Sequence, residues 1–214
     1  MQGFCRIERM PEPKQTSRPR CAQCRRPASH CLCAYVSRIS NRTRVLVLQH
    51  PDEASHPLNT ARLAVLGLDN AQLLVGEHFP QLDGIVASEP RAVLLFPAKE
   101  ASPMMSSASP AQDQPSLLIV PDGTWRKARK IVSANPVLDS LPRFSLPAGE
   151  PSAYRIRKTS EPAAVSTIEA IARTLSILEP AQSFEHLLAP FKVLIEQHVQ
   201  AMGEDVFRRN YQNS

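Results

Sequence analysis

The chain has 214 residues and a mass of 23.7 kDa, enough for one sizeable domain with a core of its own. Hydrophobic residues at 43% and charged residues at 21% exclude a disordered chain, and no run approaches the roughly 18 apolar residues of a membrane span. The net charge of +5 is uneven: ten Lys and Arg face two Asp and Glu up to Arg44, and fifteen face eighteen beyond it, so a mildly acidic body follows a basic front end suited to a polyanion such as RNA, the other reading being a solubilising tail.

The N-terminus MQGFCRIERMPEPKQTSRPR lacks the apolar core of a secretory signal, which points to the cytoplasm. Residues 1–40 read as a basic arm that carries a knuckle, Cys21-x2-Cys24-x6-Cys31-x-Cys33. Thiols crowded this closely in a reducing compartment suit a tetrahedral Zn²⁺ shell better than disulfides. His30 beside the second pair leaves a Cys3His set open, and reduced metal-free thiols or a redox pair are the other readings. Cys5 lies outside the cluster and carries no role.

Residues 41–214 read as an α/β body. The runs RVLVLQ (44–49), AQLLV (71–75), AVLLF (92–96) and SLLIV (116–120) show no polar alternation, the pattern of strands buried on both faces of a parallel sheet. Between the first two, Asn59 as N-cap and Gly67 as stop predict a short helix, and with it a βαβ unit. Residues 101–115, ASPMMSSASPAQDQP, read as a flexible insertion. The fourth run leads into Pro121-Asp122-Gly123-Thr124-Trp125 and a basic helix over Thr124–Val132. A capping box at Ser166-Thr167-Ile168-Glu169 precedes apolar positions Ile168, Ile171, Leu175 and Leu178 at helical spacing. The C-terminal stretch Phe184, Leu187, Leu188, Phe191, Leu194, Ile195 and Val199 reads as a core or dimer helix kinked at Pro190. The expected fold class is α/β, three-layered around a parallel-type sheet.

Ligands of α/β folds sit at the carboxyl ends of strands, next to the electropositive start of the following helix. Asp122 stands at such an end. Gly123 permits a tight turn, Thr124 can cap the helix, and Trp125, the only tryptophan, offers an aromatic wall. In an arbitrary protein the same residues would be caps and core. Two basic sets suit RNA phosphates: Arg126, Lys127, Arg129 and Lys130, and Arg155, Arg157 and Lys158 with Tyr154; the alternative for each is a solvated helix face. His50, His56, His78, His186 and His198 read as structural.

Asp122-Gly123-Thr124-Trp125 followed by Arg126-Lys127-Ala128-Arg129-Lys130 resembles the signature of the DTW-domain family. The resemblance extends in order through the paired cysteines, His50-Pro51-Asp52-Glu53 with Asn59-Thr60-Ala61-Arg62, Leu94-Leu95-Phe96-Pro97, Tyr154-Arg155-Ile156-Arg157-Lys158 and Ser166-Thr167-Ile168-Glu169-Ala170. It implies a tRNA-uridine aminocarboxypropyltransferase that moves the 3-amino-3-carboxypropyl group of S-adenosylmethionine to N3 of uridine and releases methylthioadenosine. It also implies kinship with the knotted SPOUT methyltransferases, although a knot is not legible in a sequence. The insertion at 101–115 and Ala98-Lys99-Glu100 depart from the family pattern.

Within that reading Asp122 is the candidate base for the N3 proton. Thr124 and Trp125, with Ser166 and Thr167 at a helix start, are the candidates for holding S-adenosylmethionine. The rival readings are the same transfer on rRNA, an RNA methyltransferase using the same donor, and a non-enzymatic zinc-knuckle RNA-binding protein.

Overall fold

Apolar runs without polar alternation are satisfied only when both of their faces are covered, and the computed structural model covers them with helices. It describes residues 19–97, 102–103, 115–146, 152, 165–207 and 209. Arg155, Arg157 and Lys158, residues 1–18 of the basic arm and most of 101–115 lie outside the described residues.

The strands are β1 (Arg44–Gln49), β2 (Ala71–Val75), β3 (Ala92–Leu95), β4 (Ser102–Pro103), β5 (Leu117–Asp122) and β6 (Arg143–Ser145). They form one sheet in the order β2-β1-β5-β3-β6-β4, and every pairing is parallel. Five strands make its body. The two-residue β4, which falls inside the segment expected to be a flexible insertion, extends the β6 edge. The strands β1, β2, β3 and β5 lie on the four apolar runs. Burial on both faces holds for β1, β5 and most of β3 and fails for β2, because β2 is an edge strand; its Val75 is 47% exposed.

The helices are α1 (Pro51–Ala54), α2 (Ala61–Leu66), α3 (Leu82–Ala87), α4 (Trp125–Ala134), α5 (Thr167–Leu178), α6 (Ala189–Met202) and α7 (Glu204–Phe207). Alternation along β1 and β5 divides the core in two. Val45, Val47, Leu118 and Val120 pack with Leu63 of α2, Ile168, Ile171 and Leu175 of α5, and Phe191 and Leu194 of α6. On the other face Leu46, Leu48, Leu117 and Ile119 meet Leu82 of α3 and Ala128, Ile131 and Val132 of α4. The expected three layers are present.

Local signals set the helix ends. The N-cap of α2 is Thr60 and not the expected Asn59, which precedes it and still accepts the Arg62 N–H on Oδ1 at 3.3 Å; Gly67 closes α2 on the Leu63 and Ala64 carbonyls, and α2 joins the parallel neighbours β1 and β2 as the predicted βαβ unit. The capping box is formed at α5, where Ser166 accepts from the Glu169 N–H and Glu169 accepts from the Ser166 N–H. Pro190 does not kink a helix. It occupies the first turn of α6, where proline lacks no needed donor, and the preceding Glu185–Leu188 is a separate 3₁₀ turn.

The knuckle is docked on this body. Leu32, fully buried, and Cys24, 6% exposed, enter the same core as α2 and α6. Arg26 ties the knuckle down, donating from Nε to the His30 carbonyl at 3.0 Å and from a terminal nitrogen to the Pro57 carbonyl at 2.5 Å. No described helix is long and apolar enough to cross a membrane.

Candidate functional site

Parallel strands end at one edge of the sheet, so the segments after β1, β2, β3 and β5 open at the same mouth. Central β5 delivers Asp122 there, in register with Gln49 at the end of β1. Asp122 is 8% exposed. Its Oδ2 accepts from Gln49 Nε2 at 2.8 Å, its Oδ1 accepts from the Thr167 hydroxyl, and its main-chain carbonyl accepts from the His50 N–H at 3.0 Å. A carboxylate cannot donate, so the Gln49 amide must turn its NH₂ toward Asp122. Gln49 Oε1 is then a buried acceptor with no hydrogen-bond partner among the described residues, a state that costs about 1–3 kcal/mol.

Gly123 makes the turn possible. Its φ of +156° lies where side-chain-bearing residues rarely sit, and a Cβ there would come within 2.9 Å of Lys127 Cβ, an atom fixed to the α4 backbone. Thr124 caps α4 by accepting the Lys127 N–H at 3.4 Å. Trp125 stands 42% exposed with its ring edge-on to Phe96, the centroids 6.1 Å apart and the planes at 64°. Phe96, Pro97, Trp125 and Arg129 line an open cleft of about 380 Å³. The Arg143 guanidinium lies over the Phe96 ring, 5.7 Å from its centroid.

Acidic side chains sort the cations of α4. Lys127 Nζ pairs with Glu53 at 2.8 Å and Asp52 at 3.4 Å, and Lys130 Nζ pairs with Glu77 at 2.8 Å. The Glu53 hydrogen bond raises the Lys127 pKa above its ordinary value, against a smaller effect of burial. Glu77 is lowered, first by the Lys130 hydrogen bond and then by the Lys130 charge and the His50 hydrogen bond, against an opposing effect of burial. His50 Nδ1 accepts the Asp52 N–H, which leaves the proton on Nε2 to meet Glu77 Oε1 at 2.8 Å. Arg126 and Arg129 are exposed and pair with no carboxylate among the described residues.

The four knuckle cysteines form a second candidate site. Their Sγ atoms all lie within 4.8 Å of one another, Cys21 to Cys33 at 3.6 Å and Cys24 to Cys31 at 3.8 Å, and none is in a disulfide. A tetrahedral ion with sulfur at about 2.3 Å requires sulfur–sulfur edges of about 3.8 Å, which the two shortest contacts match, and a group confined within 4.8 Å could close on a metal. His30 lies outside the group, its Nδ1 against Ser29 Oγ at 2.9 Å, which leaves the Cys3His alternative unsupported. Without a metal the thiols share protons unequally: the Cys24 and Gln23 N–H groups lower Cys21 to about 6, while burial pushes Cys33 up to about 12.

The family model of the DTW domain matches residues 18–199, most of the chain and all of both sites. The chain belongs to the DTW-domain family. It is 31% identical over 192 residues to tRNA-uridine aminocarboxypropyltransferase 2 of Mus musculus, covering 86% of this chain and 64% of that protein. The Drosophila melanogaster protein of the same name is 32% identical, with 76% of this chain and 67% of the relative covered. For tRNA-uridine aminocarboxypropyltransferase A of Arabidopsis thaliana the identity is 30%, over 75% of this chain and 72% of the relative. The aligned part thus spans just under two thirds of the mouse relative's length. No solved structure matches.

In this DTW-domain chain the expected residues fall into three groups. Asp122, Thr124, Trp125 and Thr167 are brought to one mouth by β5, α4 and α5. Ser166 is adjacent, but it is 2% exposed and its hydroxyl is spent inside the capping box, donating to Glu169 Oε2 at 2.7 Å. Lys127 and Lys130 are held by acids, which leaves Arg126 and Arg129 as the α4 cations open to an anion. Gln49 went unnoticed in the sequence, and its signal was small: one polar residue closing the strand after the apolar run Val45–Leu48.

Proposed function

We propose that this DTW-domain protein transfers the 3-amino-3-carboxypropyl group of S-adenosylmethionine to N3 of a uridine in tRNA and releases methylthioadenosine. One observation carries the reading: in a chain of this family, Asp122 and the half-buried Thr167 meet at the carboxyl edge of a parallel sheet beside the exposed Trp125.

The sulfonium of S-adenosylmethionine activates three carbons, and the one that reacts is the one presented to the nucleophile. Transfer of the aminocarboxypropyl chain therefore requires the methyl to be turned away. In this reading Trp125, Phe96 and Pro97 form the apolar wall that receives the adenosyl and methylthio end. The backbone N–H groups at the starts of α4 and α5, around Thr124 and Thr167, are the donors this reading gives to the carboxylate or ribose, and Ser166 fixes the α5 start through its cap. Asp122 is the base that takes the N3 proton, making the uridine nitrogen a stronger nucleophile. Arg126 and Arg129 supply phosphate contacts that orient the RNA without choosing the nucleotide, and Lys127, Lys130, Arg155, Arg157 and Lys158 are the other basic candidates of this reading.

The knuckle metal is Zn²⁺ in this reading, held by Cys21, Cys24, Cys31 and Cys33. A closed four-thiolate shell leaves no open position for chemistry, so the ion supplies folding energy to the knuckle. Cytoplasmic location accords with the four free thiols. The SPOUT relation, with its knot, belongs to the same reading through the family.

The test is nucleoside analysis of separated tRNA and rRNA from a strain lacking the gene, together with the small product made by purified protein. Loss of 3-(3-amino-3-carboxypropyl)uridine from tRNA and release of methylthioadenosine are expected. Loss from rRNA would move the substrate, adenosylhomocysteine would make the protein a methyltransferase, and RNA binding with no product would make it a binding protein.

A further inference from the structure

Asp122 is poorly placed to touch a nucleotide. It is 8% exposed, Gln49 Nε2 occupies Oδ2 at 2.8 Å, and the Thr167 hydroxyl occupies Oδ1. Thr167, the first residue of α5, is only half-buried and stands next to the carboxylate. A hydroxyl carries one hydrogen and two lone pairs. With its hydrogen given to Asp122, Thr167 Oγ1 presents only acceptor capacity to anything else that approaches it, and the imide N3–H of uridine is a donor.

Both neighbours of this pair are held firmly. The α5 start is pinned by the capping box, in which Glu169 Oε2 accepts from the Ser166 N–H at 2.8 Å and from Ser152 Oγ at 2.6 Å. The carboxylate is pinned from β1 by Gln49, whose other amide atom is buried without a partner among the described residues.

We propose that Thr167 is a catalytic residue that relays the uridine N3 proton to Asp122, and that Gln49 is the positioning residue that holds the Asp122 carboxylate for this transfer. The proposal rests on the N3-transfer reading above. As N3 approaches, its proton passes to Thr167 Oγ1 while the Thr167 hydroxyl proton passes to Asp122 Oδ1. The N3 electron pair forms the bond to the carbon of the aminocarboxypropyl chain. That carbon's bond to sulfur breaks, and its electrons neutralise the sulfonium as methylthioadenosine leaves. Asp122 then returns its proton to solvent through the same hydroxyl, so charge and atoms balance and no further reactant is needed.

The experiment is a single-turnover assay on tRNA from a strain lacking the gene, with saturating carboxyl-labelled S-adenosylmethionine. Thr167→Val keeps the shape and removes the hydroxyl. It is expected to slow the reaction by roughly 10²- to 10⁴-fold, the range of general acid–base catalysis, with the loss shrinking as pH rises and solvent removes the N3 proton. Thr167→Ser should recover most of the rate. Because relay and acceptor act as one unit, Thr167→Val combined with Asp122→Asn should be no slower than the slower single variant. Thermal melting checks folding, and Thr167→Ala replaces the valine variant if that does not fold.

A slow Asp122→Asn beside a normal Thr167→Val overturns the relay alone, as do losses that multiply in the double variant. A raised KM for S-adenosylmethionine with a normal rate at saturation reduces Thr167 to donor binding and also overturns it. A normal rate in Asp122→Asn overturns the base assignment, and the relay with it. For Gln49, the isosteric Gln49→Glu sets a second carboxylate against Asp122, and two carboxylates sharing a proton shift the acid limb of the pH–rate profile upward. An unmoved limb removes Gln49 from the mechanism.

Discussion

Trp125→Ala measures how much of the donor site is the exposed indole. A tryptophan offers at most about 250 Å² of surface, so the 42% still open at Trp125 is about 100 Å², worth about 2.5 kcal/mol if a ligand covers it. That amounts to a loss of roughly 60-fold in affinity for S-adenosylmethionine. Stacking adds about 0.5–1.5 kcal/mol, which carries the expected loss toward roughly 700-fold. Folding also loses the covered remainder of the ring, about 145 Å² and at most about 3.6 kcal/mol on the same scale, so the melting temperature of the variant is measured alongside. The ring partner on the protein side is Phe96 at 6.1 Å, an edge-on contact worth about 1 kcal/mol. Trp125 is the only tryptophan of the chain, so its emission reports the cleft directly. Saturating S-adenosylmethionine should change that emission in the wild type, and calorimetric titration should show the weakened binding in Trp125→Ala, with Trp125→Phe between the two. Emission unmoved at saturation, with a variant affinity within about 3-fold of wild type, would refute the placement of the donor against Trp125.

Metal analysis of protein purified without chelator should find about one zinc per chain; chelation should then expose the knuckle amides around Leu32 to hydrogen exchange before those of β1 and β5. Zinc-free protein, or simultaneous opening of knuckle and sheet, contradicts this. Arg126→Glu with Arg129→Glu should weaken tRNA binding and flatten its salt dependence while the melting temperature holds, because neither side chain is ion-paired among the described residues. Lys127→Glu should lower the melting temperature as well, since it sets a third negative charge against Asp52 and Glu53. The Glu77 pKa is lowered by folding, so its stabilisation is present above the ordinary glutamate range and is lost as pH falls through the folded value. Lys127 is raised, so its contribution holds below the ordinary lysine range and is lost as pH rises through its folded value. An acid melting series of Glu77→Gln against wild type should therefore converge at low pH, and parallel curves would show that the network carries no linkage.

Much of the framework was legible in the chain because it is local. Runs such as RVLVLQ announced central strands, Gly67, Thr124 and Ser166 announced helix ends, Asn59 announced one a residue early, and cysteines spaced for two tight turns announced a four-sulfur group with two of its contacts at 3.6 and 3.8 Å. These signals depend on a residue and its near neighbours, and tertiary contacts did not override them. What only the tertiary structure decided is which distant groups meet and which are consumed in meeting. β2 lost its expected two-sided burial because strand order placed it at an edge, a property of the whole sheet. Pro190 opened a helix instead of bending one, because a 3₁₀ turn ends just before it. Lys127 and Lys130 look like RNA contacts until Glu53 and Glu77, more than fifty residues away, claim them. Gln49 and Thr167 were separated from Asp122 by 73 and 45 residues, and the parallel register of β1 with β5 and the docking of α5 were what placed one on each side of its carboxylate. A sequence names the groups able to hold or move a proton, but their pairing is a matter of distances of a few ångströms, which packing alone sets.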